Sequence, residues 1–245
     1  MMNRILALIL IFTSSIGVAG EIVDHNRNRI IPVEISFPPS SFDCSIDSKC
    51  PVIFLSTGYS VSHTKYQFLT DLFSELGYLV VAIGHELPSD PPLSVSGNLF
   101  ETRSENWMRG SQTLKVVRQE LQAKYPEYSF NSLVLVGHSN GGDISAWLTR
   151  ESPSYVSQII TLDHRRVPLP RTKDIKVLSV RASDFEADDG VLLTNAEQVQ
   201  YVSCIIKIPN ARHNDMTDYG PIWLKSNIQQ IVRDWLDEAS CELSA

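Results

Sequence analysis

The sequence lacks several features that mark other classes of protein. Among its 245 residues no cluster of lysine and arginine stands out, and acidic residues outnumber basic ones by 28 to 21, for a net charge of −7. Because nucleic-acid binding depends on concentrated positive charge, we expect no nucleic-acid partner. The chain also shows no internal repeat and no low-complexity linker, and its length suits a single domain.

Long hydrophobic runs are missing after the first twenty residues. The N-terminus combines a basic start, the apolar run ILALILIF and a small, polar stretch, SSIGVAG. This layout is typical of a secretory signal peptide over residues 1–20, with cleavage after Ala19 or Gly20, and it leaves 21–245 as one domain in a secreted or periplasmic protein. The apolar run is shorter than a bilayer requires, so we expect no stable membrane anchor, although an uncleaved anchor is the alternative.

Cysteine is scarce, with four residues, and none of them has the CxxC or Cys/His spacing of a zinc site. We therefore expect neither a metal nor another cofactor. In an exported chain an even number of cysteines predicts disulfides, with four free thiols as the alternative. Cys44 and Cys50 bracket a short polar loop, and a second bridge between Cys204 and Cys241 would pin the C-terminus to the core.

Continuous apolar segments alternate with amphipathic ones. Strands are predicted over 30–38, 51–57, 78–84, 132–137, 157–163, 174–182 and 201–209. Helices are predicted over 65–77, 104–125, 141–151 and 222–240. Strands without polar alternation indicate a sheet that is buried on both faces, so we predict a three-layer α/β sandwich with a mostly parallel central sheet flanked by helices. Functional sites in such folds form at the carboxyl ends of the strands.

One such end carries the sequence Gly137-His138-Ser139-Asn140-Gly141, between a predicted strand and a predicted helix. A G-x-S-x-G motif in this context is typical of a sharp turn that exposes a nucleophilic serine, since small residues let the two segments cross. The helix that follows points free N–H groups at the serine and can stabilise an anion there. We predict Ser139 as a nucleophile, with a plain glycine turn as the alternative.

GHSNGG at 137–142 and the segment from FLSTGYS to IGHE at 54–86 make the sequence similar to the α/β-hydrolase superfamily. Within it, the sequence resembles secreted cutinase-like polyester hydrolases and platelet-activating-factor acetylhydrolase-like enzymes over nearly the whole mature chain. The resemblance implies the α/β-hydrolase fold and an oxyanion hole. Its two donors would be the main-chain N–H of Asn140, directly after the nucleophile, and that of Tyr59, whose ring is also a candidate to stack on an acyl group.

The base and the acid follow Ser139 in the order acid, then histidine, in this fold. Only two histidines lie beyond the serine, His164 and His213. His164 comes directly after the next strand, whereas His213 lies in the loop after the last strand. We therefore predict His213 as the general base.

Three aspartates are candidates for the acid that orients the base. Asp184 follows its strand at the expected distance and is the first choice, Asp163 is the second, and Asp188 is the third. The unusual sequence DHRRVPLPR that begins at Asp163 suggests a structural or substrate-facing role. Pairing of Arg165 and Arg166 with nearby acids is the alternative.

The predicted function is that of a serine carboxylic-ester hydrolase that works through an acyl-enzyme. The connection HRRVPLPRTK between the predicted strands 157–163 and 174–182 is too short for a cap domain. We therefore expect an open site covered by loops such as 87–103 and an ester substrate of unknown size. Cleavage of thioesters, amides or peptides by the same triad is one alternative. A non-catalytic binding module with this fold is another.

Overall fold

The computed structural model describes residues 17–238, in which eight strands form one sheet. The strands are β1 (Gly17–Asp24), β2 (Arg29–Ser36), β3 (Cys50–Ser56), β4 (Leu79–Ile83), β5 (Tyr128–His138), β6 (Val156–Leu162), β7 (Lys176–Arg181) and β8 (Ser203–Lys207). Their order across the sheet is β1-β2-β4-β3-β5-β6-β7-β8. β1 is antiparallel to β2, and β2 is antiparallel to β4. The other six strands, β3 to β8, are parallel to one another. The mostly parallel sheet is confirmed.

Helices cover both faces of the sheet. They are α1 (Gln67–Glu75), α2 (Leu99–Lys124), α3 (Asn140–Thr149), α4 (Asn195–Tyr201) and α5 (Ile222–Glu238). One apolar cluster joins α2 and α3 to the sheet around the buried Trp107, and a second joins α1 and α5 to the opposite face around Trp235. The predicted three-layer sandwich is therefore confirmed. Among residues 17–238 no helix is both long and apolar enough to cross a membrane.

One strand and one α-helix were not predicted, and another α-helix begins earlier than expected. β1 overlaps the end of the expected signal peptide, residues 1–16 of which lie outside the described part of the chain. α4 begins with a capping box, in which Thr194 and Glu197 satisfy each other's main-chain N–H groups. α2 begins at Leu99 rather than 104 because the Asn98 side chain accepts a hydrogen bond from the first turn, and this shortens the loop that precedes it.

The cysteines follow the prediction where the structure describes them. Cys44 and Cys50 form a disulfide at the start of β3, the end of that strand opposite the predicted site. Cys204 is buried in β8, and Cys241 lies outside the described residues, so the second bridge stays a prediction. Between β6 and β7, residues 163–175 contain no helix, which agrees with the absence of a cap domain at this position.

Candidate active site

Ser139 lies on a sharp turn between β5 and α3. Its main chain has φ 51° and ψ −121°, a left-handed conformation that is strained for a residue with a side chain. A Cβ atom added to Gly137 would lie 2.4 Å from the Gly141 carbonyl oxygen, and one added to Gly141 would lie 2.2 Å from that of Ser56. Both glycines are therefore required, because the turn brings three main-chain segments into direct contact.

His213 is hydrogen-bonded on both ring nitrogens. It begins a one-turn 3-10 helix (His213–Asp215) after β8, and its Nε2 lies 2.9 Å from the Oγ of the partly exposed Ser139. Its Nδ1 lies 2.5 Å from Oδ2 of Asp163. When Nδ1 donates its proton to the carboxylate, Nε2 is left as the acceptor that faces the serine hydroxyl. This is the arrangement of a nucleophile, a base and an acid.

Asp163 is completely buried directly after β6 and has a left-handed main chain, with φ 50°. Its Oδ1 accepts a hydrogen bond from the Ala182 N–H at 3.1 Å. The same oxygen forms an ion pair with the buried Arg181, whose Nη2 lies 2.9 Å away but is not oriented for a hydrogen bond. Burial on its own would raise the pKa of this carboxyl. The hydrogen bond from His213 and the charge of Arg181 outweigh burial and hold the pKa of Asp163 below its usual value.

Asp184, the first choice for the acid, does not contact the imidazole ring. Its exposed carboxylate accepts a hydrogen bond from the main-chain N–H of His213 at 2.9 Å. Asp188 pairs with Arg166 instead. The structure thus corrects the order of the candidates, because the backbone turn at the end of β6 aims the carboxylate of Asp163, rather than that of Asp184, at the ring.

A buried hydrogen-bond network links His213 to the turn that carries Ser139. His138 Nε2 lies 3.0 Å from the carbonyl oxygen of His213, and its Nδ1 lies 2.8 Å from the Tyr66 hydroxyl. That hydroxyl accepts a hydrogen bond from the Gly58 N–H at 3.0 Å. Burial, together with the neighbouring His213, lowers the pKa of His138 to about 3. The neutral ring therefore donates from Nε2 and accepts at Nδ1, and every partner is satisfied.

Asn140 is held by α2 through its side chain. Its Oδ1 accepts a hydrogen bond from Trp107 Nε1 at 2.9 Å, and its Nδ2 donates to Asn106 Oδ1 at 2.9 Å. Asn140 is also the first residue of α3, where a main-chain N–H has no partner within the helix. This N–H therefore suits the role of the first oxyanion donor. The sequence contained no signal for the contribution of Asn106 and Trp107, which are distant in the chain.

Tyr59 follows β3 in a loop beside the turn that carries Ser139. A Cβ added to the preceding Gly58 would lie 2.8 Å from His138 Nδ1, so this loop packs directly on the turn that presents Ser139. The Tyr59 hydroxyl accepts a hydrogen bond from the Leu93 N–H at 3.1 Å. The Tyr59 side chain thus holds the loop that precedes α2. Stacking on an acyl group was predicted for this ring from the sequence, whereas this contact was not.

His164, the other histidine after the serine, does not join the site. It is fully buried, and neither ring nitrogen has a hydrogen-bond partner in the described part of the chain. Burial, then the charge of Arg181, lowers the pKa of His164 to about 3, so the ring is neutral. Its Cβ instead packs on α3, only 2.6 Å from where a Cβ on Gly142 would lie.

Comparison with known proteins finds likeness in structure. No family model and no curated protein sequence matches the chain. Esterase 2 of Thermogutta terrifontis with butyrate bound superposes with a TM-score of 0.66 at 11% identity, over 95% of this chain and 97% of that one. Dienelactone hydrolase from Anabaena variabilis superposes at 0.58 with 11% identity, over 91% and 98% of the two chains. Ferulic acid esterase from Streptomyces cinnamoneus superposes at 0.60 with 16% identity, over 89% and 80%.

Identities this low carry a common fold and no more, so the narrower resemblance to cutinase-like and acetylhydrolase-like enzymes stays a prediction. The superpositions nevertheless extend over nearly the full length of this chain. The chain has the α/β-hydrolase fold.

Proposed function

We propose that this protein is a serine hydrolase that cleaves carboxylic esters. The observation that carries the proposal is the hydrogen-bonded series from Ser139 through His213 to Asp163 at the carboxyl edge of the sheet. Two of the structural neighbours described above are esterases, which supports the same class of reaction. Asp163 takes the role of the acid in this proposal, in place of Asp184.

The reaction begins when Oγ of Ser139 attacks the ester carbonyl carbon while Nε2 of His213 takes the hydroxyl proton. The carboxylate of Asp163 stabilises the imidazolium that results and keeps the ring in the productive orientation. The tetrahedral intermediate collapses as the imidazolium gives its proton to the leaving alcohol. Water, deprotonated by the same histidine, then attacks the acyl-enzyme, and the acid is released as the serine regains its proton.

The negative charge on the tetrahedral oxygen needs two donors. We assign them to the main-chain N–H groups of Asn140 and Tyr59. Asn140 is the first residue of α3, and Tyr59 lies in the loop that packs on the turn at Ser139. Loss of one such donor reduces transition-state stabilisation by about 2.7–4 kcal/mol. The side-chain contacts of Asn140 with α2 keep its main chain in place without using its N–H.

A fluorophosphonate probe tests the proposal, since it reacts with a serine only when a base activates it. We expect covalent labelling of the wild type at Ser139 and none of Ser139→Ala. Absence of a wild-type adduct would favour a binding module. Nitrophenyl esters of increasing chain length, assayed beside matched thioesters and peptides, separate ester hydrolysis from the other reactions that the same triad supports.

We further propose that the protein is exported. The Cys44–Cys50 disulfide supports this, because such bonds persist in oxidising compartments. Cleavage at the predicted site would remove the first residues of β1, which pair with the end of β2. Mass spectrometry of the protein recovered from its producing cells should find an N-terminus at Gly20 or Glu21, and an intact N-terminus would refute the proposal.

A further inference from the structure

The side chain of Phe185 lies between Arg165 and His213 and contacts both. The guanidinium carbon of Arg165 lies 4.6 Å from the centroid of the Phe185 ring. The Phe185 ring in turn meets the His213 ring edge to face, with 5.7 Å between the centroids. Arg165 and Phe185 are both accessible to solvent, so this pair forms part of the rim of the site beside His213.

Among the described residues Arg165 has no acidic partner, whereas its neighbour Arg166 has one. Arg166 pairs with Asp188, and the Asp188 N–H also binds the main-chain carbonyl of Arg165. Within residues 17–238 no carboxylate lies in ion-pair distance of the Arg165 guanidinium, and no group accepts a hydrogen bond from it. Because packing on an aromatic ring does not consume the N–H donors of a guanidinium, they remain free to bind a ligand.

The main chain next to Arg165 is fixed before any ligand arrives. The buried Asp143 of α3 accepts hydrogen bonds from the N–H of Arg166 at 2.8 Å and from that of Val167 at 2.9 Å. The helix that begins at the nucleophile therefore also holds the loop that carries Arg165. A group held in advance loses less conformational entropy when it binds.

We propose that Arg165 binds a carboxylate carried by the alcohol portion of the ester, and so determines substrate specificity. This inference rests on the proposed function. His213 must give its proton to the leaving alcohol, so that portion of the substrate passes beside His213 and the ring packed on it. A single free guanidinium offers two parallel N–H donors, which match the planar shape of a carboxylate.

The test compares two acetate esters that differ in one charge, 3-acetoxybenzoate and its neutral methyl ester. Arg165→Gln should lower kcat/KM for the charged ester about fivefold to tenfold and for the neutral ester less than about twofold. Arg165→Lys keeps the charge and should retain part of the preference. Added salt should weaken the preference of the wild type, because the rim is open to solvent.

Arg150→Gln is the matched control. The Arg150 guanidinium also packs on an aromatic ring, 4.3 Å from that of Trp147, but at the far end of α3, about 15 Å along the helix from Ser139. Arg150→Gln should leave the ratio of kcat/KM for the charged ester to that for the neutral ester unchanged. An equal fall for both esters in Arg165→Gln would overturn the inference, as it would show a structural role.

A second pair of substrates, 4-nitrophenyl hemisuccinate and its methyl ester, places the carboxylate on the acid portion. A selective loss in Arg165→Gln with this pair alone would overturn the assignment to the alcohol portion. Failure of the proposed function looks different, since no ester of either pair would then be hydrolysed and Ser139 would not react with a fluorophosphonate.

Discussion

Two loops at the same edge of the sheet each bring an aspartate to His213, and the two aspartates bind different atoms of it. The loop after β6 places the buried Asp163 on the ring nitrogen Nδ1, and the loop after β7 places the exposed Asp184 on the main-chain N–H. Of the two aspartates, only Asp163 contacts the imidazole ring, whereas Asp184 holds the main chain of His213 in position. Proximity to the same residue therefore does not give the two aspartates the same role.

The two carboxylates also differ in their exposure to water and in their ion-pair partners. Asp163 is removed from water, so its charge needs a partner, and the buried Arg181 provides it. Asp184 stays in water and needs no such partner. The aspartate that contacts the ring is thus also the one that is paired with a buried cation.

The largest expected effect separates the two loops directly. Asp163→Asn should lower kcat by about 10⁴-fold, because the amide no longer stabilises the imidazolium or selects the tautomer. Asp184→Asn keeps an oxygen that can accept the main-chain hydrogen bond, and we expect a loss of less than about tenfold. Steady-state rates on a nitrophenyl ester, with circular dichroism to verify folding, measure both. A loss of similar size in the two variants would contradict the assignment of different roles to Asp163 and Asp184.

A smaller effect concerns stability. Arg181→Met leaves Asp163 buried without its cation, and the free energy of unfolding should fall by about 3–5 kcal/mol. Asp184→Asn changes an exposed group, and we expect a decrease of at most about 1 kcal/mol. Urea unfolding at neutral pH provides both values. Equal stabilities of the two variants would show that the charge of Arg181 does not compensate for the burial of Asp163.

The smallest effect is a dependence on pH. Because the folded-state pKa of Asp163 lies below its usual value, its ionisation stabilises the fold above the unfolded-state pKa. That contribution is lost as the pH falls through the folded-state value. The free energy of unfolding of the wild type should therefore decline below about pH 4, and Asp163→Asn should show a shallower decline. Parallel curves from urea titrations between pH 3 and 5 would contradict the shift.

Much of the fold was predictable from local pattern. The parallel strands, with their unbroken apolar runs, and the helices that separate them follow from the sequence, because burial on both faces leaves no polar alternation. The turn at Ser139 was predictable for a similar reason, since only glycine fits where main chains cross within van der Waals distance. The disulfide between Cys44 and Cys50 joins neighbours in the chain.

Tertiary structure alone decided which side chains meet across long separations in sequence. The choice between Asp163 and Asp184 depended on a left-handed main chain after β6, which aspartate tolerates but which its sequence does not announce. The contact of Arg165 with Phe185 likewise joins two loops that only the adjacent strands β6 and β7 bring together. The sequence determined the layers and the sharp turn at Ser139, because those depend on local sterics and hydrophobic pattern. Which aspartate contacts His213, and which arginine lies beside Phe185, depend on where separate loops end in space.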